Sequence, residues 1–341
     1  MKKTLQKTPI TLKILAAQLK MSVSTVSKAL NNYPSINEQT KIRVQELATA
    51  LHFTPNKSAI NLKDKKSRIV GIILPTLLDH FFSRSIHGIE QFAIKHGYNV
   101  IISQSNDELE QEVKLANMLL RSRVDGLIVA ISKHTQDFKH FDQFENVSIP
   151  VVYYTRNPSF NLNCHKVLGN TFQGCYDATT FLIKRGHKRI SYLGGPKMTN
   201  FTHDRFNGYI NALKDNKIEF NGDLVAYTDF NFENTIVAID KLFANADCMP
   251  TALVAFKEPI LFDAVKYLKS IHHPGLDKIE CIGFGNTPFI SYLSFPPIAS
   301  VEENPESVGE NAIMLLLKLI NLEIDFEDYQ KVMVDCKIVV H

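Results

Sequence analysis

The sequence predicts two architectures in one chain: an all-α, three-helix helix-turn-helix head and an α/β core of two Rossmann-like lobes. Three observations predict this. Residues 1–68 carry 13 Lys+Arg and only 3 Asp+Glu, a net charge of +10, whereas the remainder nets −7. Within that basic segment, apolar residues recur at helical spacing. From Ile69 onward, short β-branched runs alternate with amphipathic helices, and the alternation restarts after Asn170, the pattern of parallel sheets in two successive lobes.

The head is read first. Leu12, Leu15, Ala16 and Leu19 fall at i, i+3, i+4, i+7, with Thr11 placed to cap the helix. After a break at Lys20-Met21-Ser22, the stripe resumes with Val23, Val26, Ala29 and Leu30. A third helix follows Asn37, a good N-cap, and is expected to turn Ile42, Leu47 and Leu51 inward. The middle stretch, "MSVSTVSKALNN", is poor in helix formers. It must therefore be held by packing, which leaves Ser22, Ser24, Thr25, Ser27 and Lys28 facing outward. Small hydroxyls permit close approach to a duplex, and Lys28 supplies charge. A basic module on a mildly acidic body points to a polyanion met by the first part alone.

The next segment, "TPNKSAINLKDKKS", is polar, basic and poor in core residues, the composition of a linker. In the core, "RIVGIILP" reads as a strand followed by a helix from about Phe81 to His96. Then come "YNVIISQS", a helix from Leu109 to Arg121, "VDGLIVA" and "PVVYYT". The second set comprises a helix through Lys184, "RISYLGG", a helix near Arg205 to Lys214 and a strand near "LVAYT". It continues with a helix from Phe232 to Ala244, "TALVAF", a helix after Pro259 and "IECIGFG". A last helix, Val308 to Ile320, and a strand, "KVMVDCKIVV", complete the lobes.

Composition narrows the function. The 341 residues, 45% hydrophobic and 21% charged, match ordinary globular proteins of two or three domains. No run approaches the roughly 20 apolar residues that span a bilayer, so no membrane partner is expected. The opening "MKKTLQKTPITLKILAAQLK" is interrupted by Lys13, Gln18 and Lys20 and reads as an amphipathic helix, not a signal peptide. Cys164, Cys175, Cys248, Cys281 and Cys336 lack CxxC or Cys/His spacing, as expected for reduced thiols of a cytoplasmic protein without a metal site. Walker, GxSxG, HExxH and EF-hand motifs are missing, so neither a cofactor nor an enzymatic centre is expected. The pair His272-His273 reads as a surface loop, and Glu302-Glu303 as solvated carboxylates.

"TLKILAAQLKMSVSTVSKALNN", followed by "INEQTKIRVQELATALHFTPN", resembles the DNA-binding head of the lactose-repressor (LacI) family of bacterial transcription regulators, and the likeness runs through nearly the whole chain. Ile14 stands where the family usually has an acidic residue, and Lys20 where it often has glycine. The resemblance implies a head at 1–54, a hinge at 55–68 and an effector-binding, dimerising core at 69–341 of the type I periplasmic-binding-protein kind. Lobe one would take about 69–169 and 301–326, and lobe two about 170–300 and 327–341, with crossings near Asn170, Ser300 and Phe326. Val23 and Ser24 would face bases in the major groove, with Lys28 next. Thr25, Ser27 and Asn31, with Thr11 and Ser22 beside them, would contact DNA around the phosphates. Asn56, Ala59 and Leu62 would form the hinge contacts, Leu62 as a minor-groove wedge.

The same resemblance places a small-molecule effector, sugar-like, in the cleft between the lobes. Asp79, Phe81 and Phe82 stand in the family's Asn-Pro-Phe-Phe segment, Arg205 at an effector-binding arginine, and Asn170 close by. "FKEP" supplies Lys257 and Glu258 where the family has Asn-Asp, and "GFGN" supplies Gly285 and Asn286 where it has Gly-Phe-Asp-Asp. Two readings stay open. Lys257 with Arg205 could favour an anionic sugar derivative; alternatively Lys257 pairs with Glu258 or faces solvent, and the effector is unusual or absent. A homodimer reading a pseudo-palindromic operator is the expected assembly. The rival classes are a solute-binding protein without a DNA role and an α/β enzyme. Leu62→Ala is expected to weaken operator binding and reduce DNA bending while leaving the core folded. Unchanged bending in a gel-phasing assay would remove the wedge.

Overall fold

The computed structural model describes residues 10–53, 66–156, 162–197, 200–245 and 249–341. The chain divides into two compact units, Met1–Ser67 and Arg68–His341.

The first unit is three helices, α1 (Leu12–Leu19), α2 (Val23–Leu30) and α3 (Glu38–Ala50), around Leu15, Ala16, Val26, Ala29, Val44 and Ala48. Each begins at a side-chain cap: Thr11 accepts from the Ile14 amide, Ser22 from Thr25 and Asn37 from Thr40. The turn after α1 is closed by Lys20 in the left-handed region, φ 53°, where glycine is favoured. One expectation fails here. Ile42 is 51% exposed, and α3 instead buries Val44 and Ala48, with the Lys41 stem beside them and its ammonium on Glu38 at 2.7 Å. The inward stripe is therefore Lys41–Val44–Ala48, one position out of phase with Ile42.

The second unit is two six-stranded sheets. In lobe one the order is β2 (Asn99–Gln104), β1 (Ile69–Leu74), β3 (Gly126–Val129), β4 (Val151–Tyr154), β5 (His165–Gly169), β11 (Lys331–Val334), all parallel. Helices α4 (His80–Lys95) and α11 (Pro305–Ile320) cover one face, over Ile72, Ile89, Val152 and Leu316. Helices α5 (Leu109–Arg121) and α6 (Lys139–Glu145) cover the other, over Ile73, Leu119 and Phe141. The alternation of Ile72 and Ile73 to opposite faces is the period of two expected of a strand.

Lobe two repeats the plan with β7 (Val225–Tyr227), β6 (Ile190–Gly194), β8 (Ala252–Ala255), β9 (Glu280–Phe284), β10 (Ala299–Glu302) and β12 (Lys337–Val340), the last antiparallel to β10. Its helices are α7 (Thr171–Lys184) and α8 (Asn200–Asp215) on one face, and α9 (Phe232–Phe243) and α10 (Glu258–Ser270) on the other.

The chain does cross between lobes three times, but two crossings move. Residues 301 and 302 belong to β10 in lobe two, so the second crossing falls at Glu303 and Asn304. The stretch "KVMVDCKIVV" is two strands in different sheets: β11 pairs with β5 of lobe one and β12 with β10, and the third crossing is Asp335-Cys336, not Phe326. A ten-residue run rich in β-branched residues does not reveal that its two halves pair with different neighbours.

Both lobes pack one helix pair backbone to backbone at a glycine. A β-carbon on Gly309 would lie 2.0 Å from the Ser85 carbonyl oxygen where α11 meets α4, and one on Gly208 would lie 2.2 Å from that of Phe172 where α8 meets α7. No side-chain motion relieves a clash with backbone. Gly309→Ala is therefore expected to destabilise the core by about 1–3 kcal/mol, the usual cost of overpacking, measured by urea unfolding.

Candidate functional site

The first candidate surface is the outer face of α2. Val26 and Ala29 are fully buried, which turns Ser24 and Lys28 outward and leaves Val23 42% exposed at the first helical position. Ser22 caps the helix, its Oγ 3.0 Å from the Thr25 amide and 2.9 Å from the Thr25 hydroxyl. Asn31 donates to the Ser27 carbonyl at 2.8 Å, and among the described residues its amide oxygen meets no donor. Thr11 is exposed at the start of α1. Asn56, Ala59 and Leu62 lie outside the described residues.

The second candidate site is the cleft between the lobes, a cavity of about 120 Å³ at the carboxyl ends of both sheets. Asp79, Phe81 and Phe82 enter it after β1, Thr155 and Arg156 after β4, Phe230 after β7, Phe256 and Lys257 after β8, Phe284 and Thr287 from β9 onward, and Glu303 after β10. Thr155 and Phe230 are held at positive φ, 58° and 76°, a costly conformation for β-branched and bulky residues.

Arg205 is the centre. Its guanidinium lies between two rings, 4.1 Å from the centroid of Phe256 and 3.9 Å from that of Phe284. It donates to the Phe256 carbonyl and, at 2.6 Å, to the Glu303 carboxylate. Burial pushes the Glu303 pKa up, with Arg205 opposing that shift. The Arg205 Nε and the Thr287 hydroxyl are buried without a partner among the described residues. Such groups are rare in native interiors and mark where a polar ligand could bind.

The other two cations are also matched. Arg156 pairs with Asp107 and donates to the Ile131 carbonyl at 2.8 Å. Lys257 reaches across the cleft to Asp79, 3.5 Å away, and lies 4.1 Å from the centre of the Phe230 ring. Burial lowers the Lys257 pKa, and the Asp79 carboxylate works against that shift.

Several expected residues take other roles. Glu258 is fully buried and neither pairs with Lys257 nor is free: it accepts from the Asn286 amide at 2.7 Å, the Thr287 amide at 2.9 Å and the Ser300 hydroxyl at 2.5 Å. A β-carbon on Gly285, at φ 153°, would stand 2.7 Å from that carboxylate, so Glu258 fills the space beside the glycine. Asn286 turns to Glu302 at 2.8 Å and Asn170 to Asp335 at 3.0 Å, and neither lines the cavity. Glu302 and Glu303 are buried, not solvated; Glu302 pairs with Arg84 at 3.2 Å. Sequence reasoning missed Arg156, Phe230, Phe256, Phe284 and Thr287. For all five, the available signal was position at or just beyond a strand's carboxyl end.

The comparisons agree with this geometry. The family model of periplasmic binding proteins and the sugar-binding domain of the LacI family matches residues 67–332, and that of bacterial regulatory proteins of the lacI family matches residues 11–56. The chain belongs to the LacI family. Among LacI-family relatives, the HTH-type transcriptional repressor CytR of Escherichia coli K12 is 28% identical over 93% of this chain and 92% of its own. The HTH-type transcriptional repressor PurR of Vibrio cholerae is 29% identical over 91% of each chain. In structure, the Lac repressor dimer bound to operator and the anti-inducer ONPF superimposes with a TM-score of 0.83, covering 97% of this chain and 98% of that one at 20% identity, which shows the LacI fold. This LacI-family member is a DNA-binding transcriptional repressor with an effector-binding core. No helix among the described residues is long and apolar enough to cross a membrane.

Breaking a buried pair from one side leaves an uncompensated charge. Glu303→Ala is thus expected to cost the core roughly 3–5 kcal/mol, and Glu303→Gln less, since the amide oxygen still accepts from Arg205; denaturant unfolding of both variants is the check.

Proposed function

We propose that the effector is a small, neutral, polyhydroxylated compound, a sugar or sugar derivative, and that it binds against Arg205. One observation carries this reading: Arg156, Arg205 and Lys257 each already have a carboxylate partner, so among the described residues the cleft shows no surplus cation calling for an anionic ligand. The carboxylates of Asp79 and Glu303 offer acceptors for hydroxyls, and the faces of Phe82, Phe230 and Phe256 offer apolar surface for a sugar ring. These acceptors replace the ones that "FKEP" and "GFGN" lack. Glu258 belongs to the cavity lining with its carboxylate held by two amides and a hydroxyl, and Asn286 and Asn170 stand outside the lining, setting its shape. The description of the matching core, a sugar-binding domain, points the same way.

In this reading the protein is a cytoplasmic homodimer with no catalytic activity, and two heads read the halves of a pseudo-palindromic operator. Val23 and Ser24 meet base edges; Lys28, Thr25, Ser27 and the Asn31 amide meet phosphates or adjacent bases. Thr11 and Ser22 position helix ends close to the backbone, and Asn56, Ala59 and Leu62 make the hinge contacts. Effector binding shifts the population of lobe arrangements, and operator affinity follows.

Calorimetry with a panel of neutral and acidic sugars tests the effector class. At least one neutral sugar should bind and change operator affinity in a gel-shift assay. Arg205→Ala should weaken that binding by about tenfold or more, as expected for hydrogen bonds from a charged donor. Binding confined to uronates or sugar phosphates, or no binding across the panel, overturns the proposal.

A further inference from the structure

Lys257 is an unusual residue to find at the start of α10. It is the N-cap, with no side-chain hydrogen bond to the helix amides, and a cation there opposes the helix dipole. Its side chain is only 25% exposed, and Arg156 and Arg205 both act to discharge it. A solvent-facing rotamer would relieve the burial and the repulsion from the two arginines. The ammonium instead sits 3.5 Å from the Asp79 carboxylate and 4.1 Å from the centre of the Phe230 ring. Carboxylate and aromatic face together are what an ammonium requires once it leaves water. Both are fixed independently of the lysine. Asp79 is the N-cap of α4, accepting from the Phe81 amide at 2.9 Å, and Phe230 is presented by a residue at φ 76°.

We propose that Asp79 of lobe one and Phe230 of lobe two form an ammonium subsite, that Lys257 fills it as a tethered ligand of its own cleft, and that the two lobes are tied through it before any effector arrives. The tie stands on geometry alone; its regulatory consequence rests on the reading of the cleft as the effector site. A neutral sugar shares Asp79 and Phe230 with the lysine and brings no cation to displace its ammonium. A free amine must displace a group held at a high effective concentration, so simple amines are rejected.

The chain contains no tryptophan, so Phe230→Trp places a single indole where the ammonium rests. In the full-length protein with Lys257 intact, its emission should be insensitive to low-millimolar n-propylammonium. Adding Lys257→Ala should shift the emission to the red, and n-propylammonium, the piece of side chain removed, should reverse the shift. It should do so at a concentration at least about fivefold below that of n-propanol. Asp79→Asn, which keeps a cap oxygen but not the charge, should abolish the difference between the two compounds. Equal potency of n-propylammonium and n-propanol would mean that the variant merely opens an apolar hole, and no emission shift on Lys257→Ala would mean that the lysine does not tie the cleft; either result overturns the proposal. Neither outcome depends on which sugars bind, so failure here and failure of the effector reading are separable.

Discussion

A guanidinium enclosed between two aromatic rings is costly to bury without a carboxylate close by, and in this core that requirement joins the site to the architecture. Arg205 comes from α8, and its partner Glu303 lies on the segment that carries the chain from β10 of lobe two into α11 of lobe one. The rings that enclose it, Phe256 and Phe284, follow β8 and end β9. One side chain therefore touches two strand ends and a crossing. Neighbouring contacts extend the arrangement: Glu302 holds Arg84 and Asn286, and Asp335 in the third crossing accepts from Asn170 in the first. Polar groups at the crossings are thus fastened to one another and to the cleft through Arg205–Glu303. Packed elements of this kind favour discrete arrangements over continuous deformation.

Much of this was legible in the sequence, and the part that was not shares a physical cause. Helices with full amphipathic stripes, such as Leu109–Arg121, were found to the residue. The short strands β5 and β10 and the helix α6 were missed, because a few apolar residues carry no distinguishable period. The shifted crossings have the same origin: strand periodicity says which face a residue takes but not which neighbour it pairs with. In the site, Asp79, Phe81, Phe82, Arg205 and Lys257 were placed in the cavity wall from their motif positions. Glu258, which also belongs to the cavity lining, is more instructive. Missing acidic residues in "GFGN" suggested lost ligand acceptors, yet Glu258 stands where a side chain at 285 would project and is consumed by two amides and a hydroxyl. Chain position could not show that one carboxylate had taken the space opened by a glycine.

The head follows a different logic. Helix α2 is eight residues of Ser, Thr, Val, Lys, Ala and Leu, far too short to be stable alone. It exists because Val26 and Ala29 are buried against α1 and α3 and because the Ser22 hydroxyl caps it. The residues left outward are then the short ones. On the proposed reading of α2 as the groove-facing helix, a valine and a serine at its start offer little bidentate hydrogen bonding to bases. Discrimination among operators must lean on DNA deformability and on charge, terms that depend on a duplex being bent and held as much as on base edges.

That places a quantitative demand on the core. Moving a two-state equilibrium from 1:99 to 99:1 takes a differential of about 5.5 kcal/mol. A partly exposed pair such as Lys257–Asp79 contributes about 1 kcal/mol at most, a fivefold bias in favour of closure. It can set the resting population but cannot by itself throw the switch. The larger share must come from contacts that only an effector completes. Among the described residues lining the cleft, the Arg205 Nε and the Thr287 hydroxyl are the buried groups without a partner. Each unpaired buried group costs about 1–3 kcal/mol, so pairing both in one lobe arrangement and not the other supplies a differential of the required order.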